Sequence, residues 1–438
     1  MKIGLVVHFF DFRNDVRQWM EGLAARRELV LFLRKEDQKS IEALLPPGIE
    51  VRLIDERKSG LWNKVWELLF RFLGHLPKSR QNFFLMEQFK ISIAANPEKQ
   101  ASAKRLLGLT MALPKWLSYD AFVDKLHFKG NTKIADIDQF VCFTELSDNY
   151  FVARLLREQK PVKVYVYSWD HPCKHRRFSK RMDYLVWHEG IRQDLTELQN
   201  IPPSRISIFG ATQMGYVHRF LQQRDQKPSP FPFPYLYFGC AIGVPPLVPI
   251  ELEIVRKVAE RLLVRHPDWK LVVRPYPVLR DWAPYDALKS ISNVVVDDGF
   301  RSAKAKTIAV GEEALLEKFV TIHHSKAFLH LGTTLGIEAS YTQAPSVLLD
   351  LAEYAHPERS LDVHHFVHQY QNDKYLHLDG YPNVVQNLAQ LDHLLDLLAT
   401  NPAALQPYNQ KVSSDIPPRS FDDLAVQFLE ILEEGQRG

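Results

Sequence analysis

The sequence predicts an α/β protein built from two doubly wound halves that leave a cleft between them, with a helical insertion in the first. Three observations carry that expectation. Short apolar strands alternate with amphipathic stretches from the first residues onward, the pattern of parallel sheets flanked by helices. The alternation breaks once, at Q-K-P-S-P-F-P-F-P beginning at Gln226, where neither a helix nor a central strand can form. Beyond that break it restarts, and 438 residues are more than one ordinary core holds.

In the first half the strands are expected at 3–8, 29–33, 50–54, 139–143, 163–167, 184–187 and 206–208. Between 61 and 128 the texture is helical and rich in aromatics, which marks the insertion. Ser147 stands where it can cap the helix that precedes the 163–167 strand. In the second half a strand at 235–240 leads to an amphipathic helix at 250–266. Strands at 269–273, 293–296, 307–310 and 327–331 follow, then a helix from Thr334 and a strand at 346–349. This gives an N-terminal domain over 1–225, a linker over 226–235 and a C-terminal domain with terminal helices over 236–438. In doubly wound domains the loops at the carboxyl ends of the strands are where ligands bind.

Composition narrows the partners. With 46% hydrophobic and 24% charged residues the chain has the make-up of a soluble globular protein, and its net charge of +3 gives no ground for a nucleic-acid partner. Three widely spaced cysteines, Cys142, Cys173 and Cys240, suit a reducing compartment without a disulfide framework. The opening M-K-I-G-L-V-V-H-F-F reads as a first strand rather than a signal peptide. No stretch reaches the ~20 apolar residues a membrane span needs. A cytoplasmic protein is expected, with peripheral contact at the inner face of the membrane as an option.

Two loops of the second half suit an anion. In F-L-H-L-G-T-T-L-G-I-E-A-S, residues 328–340, an apolar strand runs into Gly332, and Thr333 and Thr334 open a helix. Helix-terminal amides and two hydroxyls there suit a phosphate, and Glu338, about one turn in, suits a ribose diol. The alternative is a tight turn at Gly332, a cap at Thr333 and a solvated Glu338. In L-V-V-R-P-Y-P, Arg274 ends a strand with prolines stiffening the loop, and a guanidinium matches a diphosphate. Its alternative is an ion pair with Asp281 or Asp297. Both loops in one half favour the anion site.

These residues, with S-W-D at 168–170, M-D-Y-L-V-W-H-E at 182–189, I-P-P-S-R-I-S-I-F-G-A at 201–211 and A-P-S-V-L-L-D at 344–350, carry a resemblance. Over roughly 135–350 the chain resembles a GT-B glycosyltransferase group related to capsule and surface polysaccharide transferases and to the CDP-glycerol glycerophosphotransferases. The resemblance implies two Rossmann-like domains facing across a cleft, an acceptor-binding first half and a nucleotide-donor-binding second half. It places Arg274, Gly332, Thr333 and Thr334 at the donor phosphates and Glu338 at the ribose. It implies transfer of a sugar from a nucleotide-sugar to a saccharide or lipid-linked acceptor, with no metal or other cofactor. A polyol-phosphate transferase, a nucleotide-sugar epimerase and a silent nucleotide- or partner-binding relative are the alternatives. Those transferases often carry histidine at the position of Tyr276 and a small polar residue or asparagine at that of His171.

Sugar transfer needs a base for the acceptor proton. In Y-V-Y-S-W-D-H-P-C-K-H, residues 165–175, Asp170 and His171 follow a strand, and Asp11 and Asp15 follow the first strand. All four remain candidates, against a packing role for Trp169 and a turn-capping role for Asp170. The spacing of His171, Cys173 and His175 is not a usual zinc pattern. His364, His365 and His368 read as solvated or packed. In L-W-N-K-V-W-E-L-L-F-R-F-L, residues 61–73, Trp62, Val65, Trp66, Leu69, Phe72 and Leu73 form a stripe. The expectation is a core helix, with a membrane foot as the alternative.

Overall fold

A computed structural model of the chain describes every residue except 9–11, 47, 77, 79, 95, 144–148, 244, 277–280, 300–310, 355–361, 363–373 and 438. The chain divides into two compact units, one of residues 1–88, 96–213 and 419–438, the other of 89–95 and 214–418. The division expected at the proline segment thus differs at both crossings. Helix Met214–Gln223 belongs with the second unit, and helix Phe421–Arg437 returns to the first. The reason for the return is aromatic packing. Trp19, buried on helix Asn14–Ala24, meets Phe209 and Phe428 with ring centroids 5.6 and 5.1 Å away. The apolar face of the terminal helix is buried there.

Strands β1 (Lys2–Val6), β2 (Glu28–Leu33) and β3 (Glu50–Leu53) open the first unit. A short antiparallel pair follows, β4 (Arg57–Lys58) with β5 (Phe128–Lys129), and then β6 (Gln139–Phe143), β7 (Val162–Tyr165), β8 (Asp183–Val186) and β9 (Ile206–Ile208). The main sheet runs β3-β2-β1-β6-β7-β8-β9, parallel throughout. Its inner strands are buried on both faces, which explains why Q-F-V-C-F is nearly all apolar rather than alternating. Gly4 pairs with Val30 and Phe140 at the centre, where an added Cβ would stand 2.8 Å from the Phe32 ring. The order reverses between β1 and β6, the switch point of the sheet.

The expected insertion is present as helices Gly60–Leu73, Arg80–Ser92, Pro97–Ala112 and Tyr119–Lys125. Pro97 starts its helix where a missing N–H costs nothing, and Ser118 Oγ caps the next by accepting from the Ala121 amide at 3.1 Å. The β4–β5 pair closes the neck of the insertion; two residues a side are too few to show as a pattern in sequence.

The second unit holds β10 (Tyr235–Gly239), β11 (Lys270–Arg274), β12 (Val294–Val296), β13 (Phe328–His330), β14 (Ser346–Leu349) and β15 (Val384–Val385). Their order is β12-β11-β10-β13-β14-β15, parallel throughout, with the reversal between β10 and β13. Phe238, Val255, Val258, Leu271 and Val273 form the centre of its main core. The strand expected at 307–310 lies outside the described residues, as do Ser147, His364, His365 and His368.

Candidate functional site

Each unit places chemistry at the carboxyl edge of its own sheet. In the first, Asp15 lies in the opening turn of the helix after β1, next to the switch point. Its buried carboxylate accepts from Tyr167 Oη at 3.2 Å, just beyond β7, and from Thr212 Oγ1 at 2.5 Å, beyond β9. Tyr165 extends the group, accepting from the Thr212 amide at 3.0 Å, and the Arg13 guanidinium lies 4.7 Å over the Tyr167 ring. Burial pushes the Asp15 carboxyl up; the Thr212 hydrogen bond and the charge of Arg13 offset that only in part. The result is a carboxylate with raised proton affinity at a strand end.

Asp170 and His171 lie beyond β7, at the start of the short helix His171–Lys174. Burial would raise the Asp170 carboxyl, but Lys174, in an i,i+4 ion pair, together with the Ser168 hydroxyl at 2.6 Å outweighs it and holds the pKa low. His171 is driven well below the ordinary imidazole range, first by burial and then by His175, whose ring centroid is 4.7 Å away. At neutral pH it is an uncharged imidazole, and among the described residues its buried Nδ1 has no hydrogen-bond partner. The structure therefore separates the four candidates. Asp170 is a committed anion, His171 a weakly basic ring and Asp15 a carboxylate with raised pKa; Asp11 lies outside the described residues. Trp169 is buried, in keeping with a packing role. Among the described residues no group of three His, Cys, Asp or Glu could hold a metal ion, and all three cysteines are buried free thiols.

In the second unit Arg274 ends β11, one strand from the switch point, and is buried. Its Nη1 donates to Tyr237 Oη at 3.5 Å, and Tyr237 Oη donates to Asp297 at 2.6 Å. The guanidinium thus reaches Asp297 through a phenol, and Tyr237 was not visible as its partner from sequence. Tyr276, in the loop after Arg274, lies against Gly243, where an added Cβ would stand 2.5 Å from the ring. The two loops flanking β10 and β11 are therefore in direct contact.

The 330–338 segment is wound around a buried histidine. His330 is fully buried; its Nδ1 accepts from the Gly332 amide at 3.1 Å while Nε2 is 3.2 Å from Ser346 Oγ. Burial drives its pKa down to about 3, so the ring is neutral and can serve both bonds. Gly332 takes φ of 87°, and a Cβ on Gly336 would stand 2.4 Å from the His330 ring. Thr333 caps helix Thr334–Ala339 by accepting from the Leu335 amide at 3.4 Å. The Gly332 and Leu335 amides are thus engaged within the loop. Glu338 is buried and paired with Lys318 rather than solvated. A signal for His330 existed, a lone imidazole inside an apolar strand two residues before a glycine, but its contacts come from β14 and are non-local.

A Listeria monocytogenes protein assigned as a UDP-N-acetylglucosamine 2-epimerase is similar over 99% of this chain and 96% of its own, with a TM-score of 0.50 and 12% identity. The fold is GT-B-like. CalG4, the calicheamicin glycosyltransferase, matches over 99% of this chain and 98% of its own at 13% identity and a TM-score of 0.49. The UDP-GlcNAc 2-epimerase of Methanocaldococcus jannaschii matches over 98% and 100% at 12% identity and a TM-score of 0.46. No family model and no curated protein matches the chain in sequence. The GT-B-like plan agrees with two α/β units that each carry a parallel sheet and a switch point.

Proposed function

We propose that the chain is a glycosyltransferase that moves a sugar from a nucleotide-sugar to a saccharide or lipid-linked acceptor in surface polysaccharide synthesis. The observation that carries the reading is Arg274, a buried arginine at the carboxyl end of β11 beside the switch point of the second sheet. A guanidinium placed there, with the Thr333 and Thr334 hydroxyls after β13, suits a diphosphate leaving group. The motif resemblance over 135–350 points the same way.

In the reaction the acceptor oxygen bonds to the anomeric carbon, and the bond from that carbon to the diphosphate oxygen breaks with its electron pair. The charge that develops on the diphosphate falls to Arg274, and the acceptor proton goes to a base. Asp15 is our assignment for that base, because it lies beside the switch point of the first sheet and burial raises its proton affinity, whereas Asp170 is held as an anion by Lys174 and His171 is only weakly basic. We place Asp170 as a positioning residue for the 168–175 loop. A lipid-linked acceptor would be met at a membrane, and residues 61–73 are where we expect that contact.

The test is a thermal-shift panel of UDP, GDP, CDP, CMP and dTDP with wild type and Arg274→Ala, since a ligand bound by the folded state alone raises the melting temperature. Stabilisation by one diphosphate that Arg274→Ala removes supports the reading; no stabilisation by any of the five sinks it. Preference for CDP with CDP-glycerol turnover moves the activity to polyol-phosphate transfer. Sugar conversion without an acceptor moves it to epimerisation, and binding without turnover leaves a silent relative.

A further inference from the structure

The 60–73 helix inverts the usual arrangement of a surface helix. Leu61, Val65 and Leu68, at i, i+4 and i+7, face outward, Leu61 being 72% exposed, with Trp62 beside them at 50%. Its inward face carries Asn63, buried and accepting from the His127 amide at 2.7 Å, and Phe70. The expectation of a core helix over 61–73 is therefore corrected: Phe70 joins the core and the leucines do not. The 97–112 helix packs against it and repeats the pattern, with Leu106 and Leu109 exposed, Leu109 at 69%. Lys115 joins the two by donating to the Phe72 and Thr110 carbonyls, and next to it Trp116 is 63% exposed.

We infer that these two helices form one face that lies on an anionic phospholipid surface. The proposal rests on the membrane-contact part of the reading above and names its surface and its lipid. Charge chooses the occupant. The two helices carry Lys64, Arg71, Lys99, Lys104 and Arg105 against two acids, Glu67 and Glu98, so that these two elements alone hold a net +3, as much as the whole chain. Within the 60–73 helix the one acid, Glu67, is engaged by Lys58 and Tyr150, while Lys64 and Arg71 flank the leucine stripe. A second copy of the chain, meeting this face with its own, would bring like charge against like. An anionic headgroup layer complements it, and exposed indoles beside leucines suit the boundary between headgroups and acyl chains. Among the described residues no helix is long and apolar enough to cross a membrane, so the face would lie in the interface.

The experiment uses the full chain and sucrose-loaded vesicles, either of phosphatidylglycerol with phosphatidylethanolamine or of phosphatidylcholine alone. Expected are co-sedimentation with the anionic vesicles, at least tenfold weaker partition onto phosphatidylcholine, and quenching of tryptophan emission by brominated acyl chains that Trp62→Phe/Trp116→Phe removes. Leu61→Glu/Leu109→Glu should lower partition at least tenfold with an unchanged melting temperature, because both side chains are exposed. The same variant should keep any diphosphate-induced thermal shift, which separates failure of the surface from failure of the donor reading. Three results would each overturn the inference: no binding to anionic vesicles, wild-type partition by the double glutamate variant, or a dimer that this variant dissociates in a protein that ignores vesicles.

Discussion

The carboxyl edges of the two sheets share a plan and differ in chemistry. In the first unit Asp15, Tyr165, Tyr167 and Thr212 form a buried hydroxyl–carboxylate cluster in which burial shifts proton affinity. In the second, Arg274, Tyr237 and Asp297 form a charged chain, and His330 fixes a loop from within. A group that must exchange a proton gains from a site that penalises its charge, whereas a group that must hold an anion gains from a fixed cation. The same sheet topology thus holds a buried carboxylate of raised proton affinity in one unit and a buried cation in the other, which is the contrast the proposed function uses.

The substitution expected to break that contrast most sharply is Asp15→Asn. It retains a hydrogen-bond acceptor for Tyr167 or Thr212 yet removes the carboxylate proposed as the base, so single-turnover transfer should fall on the order of a hundredfold or more while nucleotide affinity stays within twofold. Asp170→Asn should act mainly through the melting temperature, since it breaks the pair with Lys174. A collapse of the rate in folded Asp170→Asn or His171→Ala, with Asp15→Asn still active, would reassign the base.

A second test concerns Glu251, a buried carboxyl in the second unit that burial pushes up to about 7. It accepts from the Ala241 and Ile242 amides at 2.8 and 3.2 Å and from Tyr285 Oη at 3.1 Å, which holds the loop after β10. Because the folded pKa lies above the ordinary 4.5, the folded state keeps a proton that the unfolded chain releases. The contribution is therefore complete below about pH 4.5 and is lost as pH rises through 7, a fall of about 3 kcal/mol. Urea unfolding of wild type and Glu251→Gln at pH 5 and 8 measures it; equal pH dependence in the two proteins would refute the assignment.

Arg274→Ala should weaken diphosphate binding by roughly 1.5–3 kcal/mol, the range for a hydrogen bond to a charged group. Titration calorimetry with whichever diphosphate stabilises the protein checks it, and unchanged affinity in a folded variant would remove Arg274 from the donor site.

Much of this architecture was legible because buried parallel strands announce themselves: Q-F-V-C-F and S-V-L-L are apolar runs bounded by turn residues, and both appear where expected. The inner and outer sides of the 60–73 helix were not legible. A periodic stripe shows that a helix has an apolar face but not what covers it, and here Asn63 takes the inward position through a bond to residue 127. The terminal helix was misplaced for a related reason, since its partner Trp19 lies some four hundred residues away in sequence. Asp15 could be named from its strand-end position, but Tyr167 and Thr212, which set its chemistry, arrive from two other strands.

The smallest expected effect lies at Thr333, where a capping role and a ligand role can be told apart. Its Oγ1 accepts from the Leu335 amide at a long 3.4 Å, so loss of the cap should cost about 0.5 kcal/mol, the low end for such residues. The hydroxyl proton takes no part in that bond and is free to point at a phosphate oxygen. Thr333→Ala should therefore lower the melting temperature slightly and weaken diphosphate binding by a further few-fold, whereas Thr333→Ser should restore both. If Thr333→Ala lowers the melting temperature by the same amount with and without saturating diphosphate, and the dissociation constant does not move, Thr333 is a cap alone. The proposed phosphate site would then be confined to Arg274 and the rest of the 332–334 turn.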